Sequence, residues 1–555
     1  MVRANRRRWT THAVERPTGA DALRANVAAG QAVVETVRST LGPNGRDKML
    51  VGSDGTVVVT NDGASILDRL DVDDPTARMI VEVAAAQDGA VGDGTTTAVL
   101  LTGELLAEAA ELADEGLHPT TIVSGYHHAA VHARERLGEY GIGIEGDDEA
   151  LRAVARTAVT GKWDDASAER FADLAVRGIR AVETNGGVDV RDLTLTALPG
   201  GELRASELVD GLLVNMDVSS TSIEGFDAGL PQRFTDVRIA LVNDEIAIET
   251  AEAVGTVTVT DPEQLERLQE HESGTRADVV RTITDFGVDV LFCQKSIDDA
   301  VQTALGNEGV LTVERTRQDE LDALARTTAA TAVPSVGDLA SADIGRAGSV
   351  TRHSVGPSKL LTIADCPKNT HASLLLRGGT EHVAEETRRI VEDCIAVVQL
   401  ALDEGFVLPG GGAIEMALAQ DLSTHAAAVD GRGQLAVEAF AEALKGIPRT
   451  LVANAGLDPG DVLADLRHRH HEQQPSVGVD PTTGELRDMR QARVLEPRSV
   501  TDRCLASALA ATSMILRIDE IVRSGAGASH DDEHDHESAG YGQQSTDGYP
   551  WAIGH

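Results

Sequence analysis

Six consecutive residues near position 95 have the types and spacing to bind phosphate. Two glycines bracket a carboxylate and three threonines follow, in the order Gly92, Asp93, Gly94, Thr95, Thr96 and Thr97. Because an apolar run begins at Ala98, the segment predicts a tight loop that opens into a helix. Glycine lets the backbone approach a ligand closely, and the free N–H groups at a helix N-terminus favour phosphate. Taken alone, the segment is equally compatible with an ordinary glycine-containing turn and a threonine N-cap.

Charged residues in other turns extend this hypothesis to phosphoryl transfer. Asp93 could hold Mg²⁺ by one carboxylate, with nucleotide oxygens and water completing the octahedron. Transfer to water also needs a cation near the γ-phosphate and a carboxylate that orients the water. Lys162, Asp62 and Asp393 are of the required types, although each is individually more often a cap or a surface charge and no spacing forces them together. The P-loop pattern G-x-x-x-x-G-K-[ST] does not occur, which excludes that class of enzyme.

Local patterns predict the elements that carry the first of these residues. A helix is predicted from Ala22 to Leu41, where a Gly-Pro pair ends it. Two short strands, Lys48–Val51 and Thr56–Thr60, predict a β-hairpin. Asp62 then lies at the tip of a predicted turn.

The phosphate loop itself follows a predicted helix. Asp73 or Asp74 caps this helix, and Pro75 occupies its first turn. The helix leads directly into Gly92. A second glycine-rich turn into a helix is predicted near Pro409.

The middle of the chain has a different pattern. Between residues 211 and 372 short apolar strands alternate with helices, which predicts an α/β domain inserted in a mainly helical chain. The strands predicted there are Val237–Val242, Val288–Phe292, Val310–Val313 and Leu360–Ile363. Pro262 to Phe286 is largely polar with sparse apolar positions, so we expect a helix that projects from this domain.

Composition restricts the partners that this protein can have. The 555 residues suffice for several domains. A net charge of −40 repels nucleic acid and anionic membranes, so neither is expected as a partner. Because the acidic residues are spread along the chain, we interpret this charge as adaptation to a high-salt, halophilic cytoplasm.

Several patterns favour a cytoplasmic location. No run of about 18 apolar residues occurs, so no transmembrane helix is expected. The arginines at positions 6–8 are not followed by an apolar segment, which argues against a secretory signal. The four cysteines form no C-x-x-C pair, so we expect mostly buried thiols and neither a disulfide framework nor a zinc cluster.

Several blocks of the sequence resemble the signature motifs of group II chaperonins, the family of the archaeal thermosome and the eukaryotic cytosolic chaperonin. In chain order these blocks are Thr40–Leu50, Thr60–Ala64, Val91–Thr97, Cys293–Lys295, Arg377–Glu381, Pro409–Ala413 and Met514–Asp519. The resemblance extends from about Ala22 to Arg523, and several of the blocks are highly specific.

This resemblance implies a multi-domain α+β subunit. A helical equatorial, ATP-binding domain would combine residues 1–147 with 406–523, and a small mixed intermediate domain would combine 148–212 with 371–405. An α/β apical, substrate-binding domain would comprise 213–370, with a helical lid protrusion at about 245–286. The polar, acidic tail at 524–555 is expected to be disordered. Its histidines are a weaker candidate for a metal site.

The resemblance also implies roles for individual residues. Asp62 and Asp393 would be catalytic, placing and activating the water, and Asp93 would bind Mg²⁺, with K⁺ as an additional candidate ion. Nucleotide binding would involve Thr40, Leu41, Gly42, Pro43, Gly94, Thr95, Thr96, Thr97, Lys162, Gly410, Gly411, Asp480 and Glu496. Within this set, Lys162 matches a lysine that senses the γ-phosphate.

The function implied is that of an ATP-dependent molecular chaperone. Subunits would form a double ring that binds unfolded protein clients and folds them in a lid-closed cavity, driven by ATP hydrolysis. The partners would be these clients and other chaperonin subunits, in homo- or hetero-oligomeric rings. The alternative is a non-catalytic, chaperonin-like scaffold subunit of a mixed ring.

Overall fold

The computed structural model describes residues 19–520 apart from 53–54, 185–186, 217–228, 249–261, 357, 369–370 and 481–482, and excludes the side chains of 262–272. The tail predicted at 524–555 and residues 249–261 of the predicted lid therefore lie outside the described residues. Within those ranges, no helix is long and apolar enough to cross a membrane.

Helices dominate both ends of the described chain. They are α1 (Ala20–Arg38), α2 (Gly63–Asp68), α3 (Pro75–Val91), α4 (Thr95–Asp114), α5 (Pro119–Arg136), α6 (Asp148–Ala158), α7 (Asp165–Val182), α8 (Pro262–Asp285), α9 (Asp299–Asn307), α10 (Gln318–Thr328), α11 (Glu381–Glu404), α12 (Ala413–Ala426), α13 (Gly433–Leu444), α14 (Gly446–Asn454), α15 (Pro459–His471), α16 (Met489–Ala492) and α17 (Arg498–Leu516). Short 3₁₀ turns occur at Leu137–Tyr140, Val190–Asp192, Leu203–Ala205 and Val336–Asp338.

Strands are concentrated in the middle of the chain. They are β1 (Lys48–Val51), β2 (Val57–Thr60), β3 (Ile142–Gly143), β4 (Glu183–Thr184), β5 (Gly187–Val188), β6 (Leu193–Pro199), β7 (Glu207–Asp210), β8 (Leu212–Asn215), β9 (Arg233–Val242), β10 (Val290–Cys293), β11 (Leu311–Val313), β12 (Ala332–Val333), β13 (Gly345–Val355), β14 (Ser358–Ala364), β15 (Ala372–Gly378), β16 (Phe406–Pro409), β17 (Val477–Val479), β18 (Leu486–Asp488) and β19 (Leu495–Pro497).

The first hydrophobic core, here called the terminal core, unites the two ends of the described chain. Helices α1, α3, α4 and α5 pack there against α12, α13 and α17. Tyr126 and Phe440 meet edge to face at its centre, with ring centroids 5.6 Å apart. The buried Tyr126 hydroxyl donates to the Leu105 carbonyl at 2.9 Å, so its polar end is satisfied.

A second core, the middle core, is built from α6, α7 and α11 packed on a three-stranded sheet. In this sheet β15 lies between β6, to which it is parallel, and β7, to which it is antiparallel. Strand β15 is buried along its whole length, as expected for a central strand covered on both faces.

The third region is a seven-stranded mixed sheet, here called the large sheet, in the order β11-β10-β9-β13-β14-β8, with β12 also pairing with β9. Strands β9, β10 and β11 are parallel, whereas β13 is antiparallel to both of its neighbours. Two apolar clusters cover the sheet. Ile283 of α8 is fully buried in the second of these clusters, so the last turns of this helix lie against the large sheet.

The chain enters and leaves the large sheet at one place. The Gly211 amide donates to the His371 carbonyl at 3.2 Å, and the Ser373 hydroxyl donates to the Gly211 carbonyl at 2.8 Å. Gly211 has φ 100°, and a Cβ there would lie 2.3 Å from the Ile363 carbonyl oxygen. The crossing therefore requires glycine.

Most of the local predictions are confirmed. The hairpin forms with the register Lys48↔Thr60. The helix predicted from Ala22 to Leu41 begins at Ala20 and ends at Arg38, three residues before its predicted end. The helix predicted over Pro262–Phe286 ends one residue earlier. Strand β13 was not predicted because its glycine- and arginine-containing sequence lacks an apolar strand pattern.

The four cysteines behave as buried small residues, as expected. Cys293, Cys366, Cys394 and Cys504 are all buried and free. Burial raises the pKa of the Cys293 thiol to about 12, and the same effect raises that of Cys366 to about 11. These thiols are therefore protonated and unreactive near neutral pH.

The cap of α3 provides a test of local stability. The Asp74 carboxylate accepts the Thr76 and Ala77 amides at 2.8 and 3.2 Å, which resolves the choice between Asp73 and Asp74. We expect Asp74→Ala to cost about 1 kcal/mol and to lower the thermal unfolding midpoint. Asp73→Ala is the matched control and should leave the midpoint unchanged. Equal shifts for both variants would contradict the assignment of the cap.

Candidate active site

A cavity of about 750 Å³ opens where the terminal core meets the middle core. Its walls come from the end of α1, the β2–α2 corner, the loop before α4, the loop between α6 and α7, and the start of α12. Its volume is within the usual range for a small-molecule site. The cavity is therefore large enough to hold a small-molecule ligand.

The N-terminus of α4 points its free amides into this cavity. Gly94 is the N-cap, with φ 75°, and no side chain caps the helix. The expected alternative of a threonine N-cap is therefore wrong, because Thr95 is already the first helical residue. The amides of the first turn have no partner four residues earlier, which leaves them available to an anion.

Close packing explains the glycine at position 94. A Cβ there would lie 2.7 Å from Val500 Cγ1 and 2.9 Å from Cys504 Sγ. The neighbouring Asp93 carboxylate accepts the Gly94 amide at 2.7 Å, and its backbone carbonyl accepts Gln87 Nε2 at 2.9 Å. The first contact orients the side chain of Asp93 at the phosphate loop, and the second holds its backbone.

Lys162 connects two carboxylates that are distant in sequence. Its Nζ lies 3.1 Å from Asp393 Oδ2 and 3.5 Å from Asp62 Oδ1. The three side chains are only 10–15% exposed. Asp62 also caps α2 by accepting the Ser65 amide at 2.8 Å, so it is part of a helix start as well as of a turn.

The two carboxylates have opposite pKa shifts. Burial alone would raise the pKa of Asp62, but Lys162 and Arg389 outweigh it and lower this pKa to about 2. Burial raises the pKa of Asp393 to about 7, with the charge of Asp62 adding to the effect and Lys162 opposing it. Asp62 is therefore a permanent anion near neutral pH, whereas Asp393 is able to exchange a proton.

Asp93 and Lys162 complete this charged group. Burial raises the pKa of Asp93, although Lys162 opposes the shift. Burial would lower the pKa of Lys162, but its carboxylate neighbours raise it, so the ammonium remains charged.

The opposite wall comes from the C-terminal part of the chain. Gly412 caps α12 with φ 75° and without a side-chain hydrogen bond, as Gly94 does for α4. Asp480 lines the cavity and accepts Arg487 Nη1 at 2.9 Å. Burial raises the pKa of both Glu415 and Glu496, and the charge of Glu415 raises that of Glu496 further.

Nearly all of the predicted site residues converge on this cavity. Those that line it are Thr40, Leu41, Gly42, Pro43, Asp62, Asp93, Gly94, Thr95, Thr96, Thr97, Lys162, Gly411, Asp480 and Glu496. Asp393 and Gly410 stand just behind this wall. Asp393 reaches the cavity through Lys162, and the Gly410 amide donates to the carbonyl of the lining residue Val494 at 2.9 Å.

Several further residues belong to the site but were not predicted, among them Arg389, Trp163 and Glu415. Arg389 pairs with Asp62 at 2.9 Å, and its position one helical turn before Asp393 was the available signal. Trp163 lines the cavity and stacks on Phe171 with ring centroids 4.3 Å apart. Glu415 follows the second glycine-rich turn, but a single buried glutamate has no distinctive local pattern.

The donor set fits a magnesium nucleotide. The uncapped start of α4 and the close glycine contacts form a cradle for phosphate. Asp93 supplies the hard oxygen ligand that Mg²⁺ prefers. When Asp62, Asp93 and Asp393 are all ionised, they carry more negative charge than Lys162 and Arg389 neutralise, which favours a bound cation.

Comparisons with known proteins agree with the motifs. A model of the TCP-1/cpn60 chaperonin family matches residues 33–526. Thermosome subunit 1 of Haloferax volcanii is 44% identical over 92% of this chain and 90% of its own length. Thermosome subunit alpha of Halobacterium salinarum is 43% identical with the same coverage, and the thermosome subunit of Methanopyrus kandleri is 43% identical over 92% of this chain and 93% of its own length. The resemblance predicted from the motifs is thus confirmed, and the chain belongs to the TCP-1/cpn60 chaperonin family as a group II chaperonin.

Proposed function

We propose that this subunit binds ATP with Mg²⁺ in the cavity and transfers the terminal phosphate to water, with Asp393 as the proton acceptor. Its family membership makes it an ATP-dependent chaperone subunit of the double-ring kind, and the non-catalytic scaffold alternative is not favoured. The observation that carries the catalytic proposal is the meeting of Lys162 with Asp62 and Asp393.

Each group has a separate task in this proposal. Asp93 holds Mg²⁺, which supplies charge neutralisation at the phosphate oxygens when bound. The amides of Thr95, Thr96 and Thr97 bind phosphate, and Lys162 stabilises its terminal charge. Asp62 orients the water as a fixed anion, because its pKa of about 2 makes it a poor proton acceptor. K⁺ is a second candidate ion in this acidic site.

The remaining wall residues would bind the rest of the nucleotide. Asp480 and Glu496 provide acceptors for ribose or base hydroxyl and amino groups. Two short turns, formed by Thr40, Leu41, Gly42 and Pro43 and by Gly410 and Gly411, would add backbone contacts to the nucleotide.

We also propose the domain division given by the family. Residues 1–147 with 406–523 would be equatorial, 148–212 with 371–405 intermediate, and 213–370 apical, with the lid at about 245–286. The terminal core, middle core and large sheet support three such units. Because Asp393 belongs to α11, hydrolysis would require the middle core to close on the terminal core. This closure would couple ATP hydrolysis to the motion of the lid. Unfolded clients would bind apolar apical surface.

The β1–β2 hairpin supports assembly with other subunits. Met49 and Val51 face Val59 and Val57 on one side of the hairpin, and all four are 54–68% exposed. Such an apolar face favours burial against a second chain. We propose that a neighbouring subunit covers it in a homo- or hetero-oligomeric ring, and that the ring works in the cytoplasm.

Replacement of Asp393 tests the catalytic assignment. We expect Asp393→Asn to lower the kcat of ATP hydrolysis by roughly 100-fold or more, since the proton acceptor is lost. Nucleotide binding, measured by calorimetry, should persist. Asp403→Asn, at an exposed position on the same helix, is the control and should behave as wild type. An inactive wild-type protein would favour the scaffold alternative.

The pH dependence tests the same residue independently. Because the pKa of Asp393 is raised to about 7, the carboxylate form is lost as the pH falls through that value. We expect kcat to be highest above this pKa and to decline tenfold per pH unit below it. Asp62 remains ionised throughout. A flat profile across this range would contradict the role of Asp393 as base.

Charges on the hairpin test ring assembly. We expect the double substitution of Met49→Asp and Val57→Asp to shift the protein from rings to single subunits in analytical ultracentrifugation, because burying these charges is unfavourable. Secondary structure should be unchanged, since both side chains are exposed. Val383→Asp, at another exposed valine, is the control. Rings that survive the hairpin variant would refute this interface.

A further inference from the structure

Arg389 forms an ion pair that links two parts of the site. It lies on α11, four residues before Asp393, and its Nη1 is 2.9 Å from Asp62 Oδ2. The Asp62 side chain is 10% exposed and that of Arg389 is 30% exposed, so the pair is largely shielded from water. An ion pair at this depth is stronger than one on the surface.

The carboxylate of Asp62 is held from three directions. Its Oδ2 accepts the Ser65 amide at 2.8 Å in addition to Arg389, and its Oδ1 faces Lys162 at 3.5 Å. The Ser65 contact belongs to the terminal core, whereas Arg389 belongs to α11. Arg389 therefore contributes the contact that connects this carboxylate directly to the helix that carries Asp393.

Glu386 fixes the orientation of the arginine. Its Oε1 lies 3.3 Å from Arg389 Nη2, and its Oε2 accepts Arg389 Nε at 3.4 Å. The Thr60 hydroxyl also donates to Glu386 Oε1 at 3.5 Å. Glu386 and Arg389 thus lie one turn apart on α11 and contact both sides of the β2–α2 corner.

The adjacent arginine has a different environment. Among the residues that the structure describes, Arg388 forms ion pairs with two glutamates of its own helix, Glu385 at 3.0 Å and Glu392 at 2.5 Å. Its side chain is 40% exposed. Two neighbouring arginines on one helix therefore differ chiefly in whether they reach Asp62.

We propose that Arg389 is a positioning residue for ATP hydrolysis, which holds α11 against the β2–α2 corner through Asp62 and thereby places Asp393 beside Lys162. This inference rests on the proposed function. Arg389 does not line the nucleotide cavity, so it acts on the reaction through Asp62 and through the placement of α11. The phosphate cradle of α4 lies on a separate element and does not depend on this ion pair.

The Arg389–Asp62 ion pair and the phosphate cradle lie on different elements, so they affect different kinetic constants. Loss of the ion pair loosens the placement of Asp393 and Asp62 but leaves the nucleotide cradle intact. We expect Arg389→Gln to lower kcat by roughly 10- to 100-fold, since displacement by about 1 Å has effects of this order. The KM for ATP should change little. Arg389→Lys should recover part of the rate, because it keeps the charge and loses the fork of donors.

The experiment compares the wild type with Arg389→Gln, Arg389→Lys and Arg388→Gln, each as assembled full-length protein. Steady-state ATP hydrolysis gives kcat and KM, and thermal unfolding and ring size are measured on the same samples. Arg388→Gln is the matched control and should retain wild-type kinetics.

Each outcome distinguishes a different conclusion. A selective loss of kcat in Arg389→Gln with partial rescue by lysine supports the proposal. Wild-type kcat in Arg389→Gln overturns it, as does an equal loss in Arg388→Gln. If both Arg389 variants are destabilised or no longer form rings, and lysine does not restore kcat, the arginine has a structural role instead and the proposal is refuted. A wild-type protein without ATP hydrolysis would refute the proposed function itself.

Discussion

The site depends on one buried ammonium group held between two carboxylates. Lys162 approaches Asp393 and Asp62 within 3.1 and 3.5 Å, where little water reaches any of the three. Buried ion pairs of this kind gain little net stability, because desolvation offsets the attraction. These ion pairs instead fix the positions of three segments of the chain, because the charges are compensated only when the segments meet. The unequal surroundings also separate the roles of the carboxylates, leaving Asp62 ionised and Asp393 able to take up a proton.

The backbone around this charge group is arranged to leave donors free. Helices α3, α6, α7 and α9 begin at aspartates whose side chains cap them. Of these, α7 also reaches the cavity, as does α2, which is capped by Asp62, whereas α4 and α12 begin at the cavity with glycines in the left-handed region and have no side-chain cap. The difference has a physical reason, because a capping carboxylate would occupy the amides and repel an incoming phosphate.

The acidic composition acts mainly at the surface. The net charge of −40 is accompanied by many exposed arginine–carboxylate pairs within single helices, each of which contributes little in high salt. Two of the relatives come from Halobacterium salinarum and Haloferax volcanii, in accord with the halophilic interpretation of this charge. The buried charges of the site are screened much less, so the two groups of ion pairs have different energetic roles.

Local sequence by itself determined the phosphate loop before α4, the cap and proline that start α3, the β1–β2 hairpin and the polar helix α8, because glycine, proline and capping residues act within a few positions. The motifs also determined the family. Only the tertiary structure decided that Lys162 forms an ion pair with Asp393, which is 231 positions away in the sequence. The same is true of Arg389, which contacts Asp62 across 327 positions. Strand β13 also depends on the tertiary structure, because its pairing with β9 and β14 stabilises a sequence with weak strand preference. Long-range contacts depend on how separate cores pack together, and that information is absent from any local pattern.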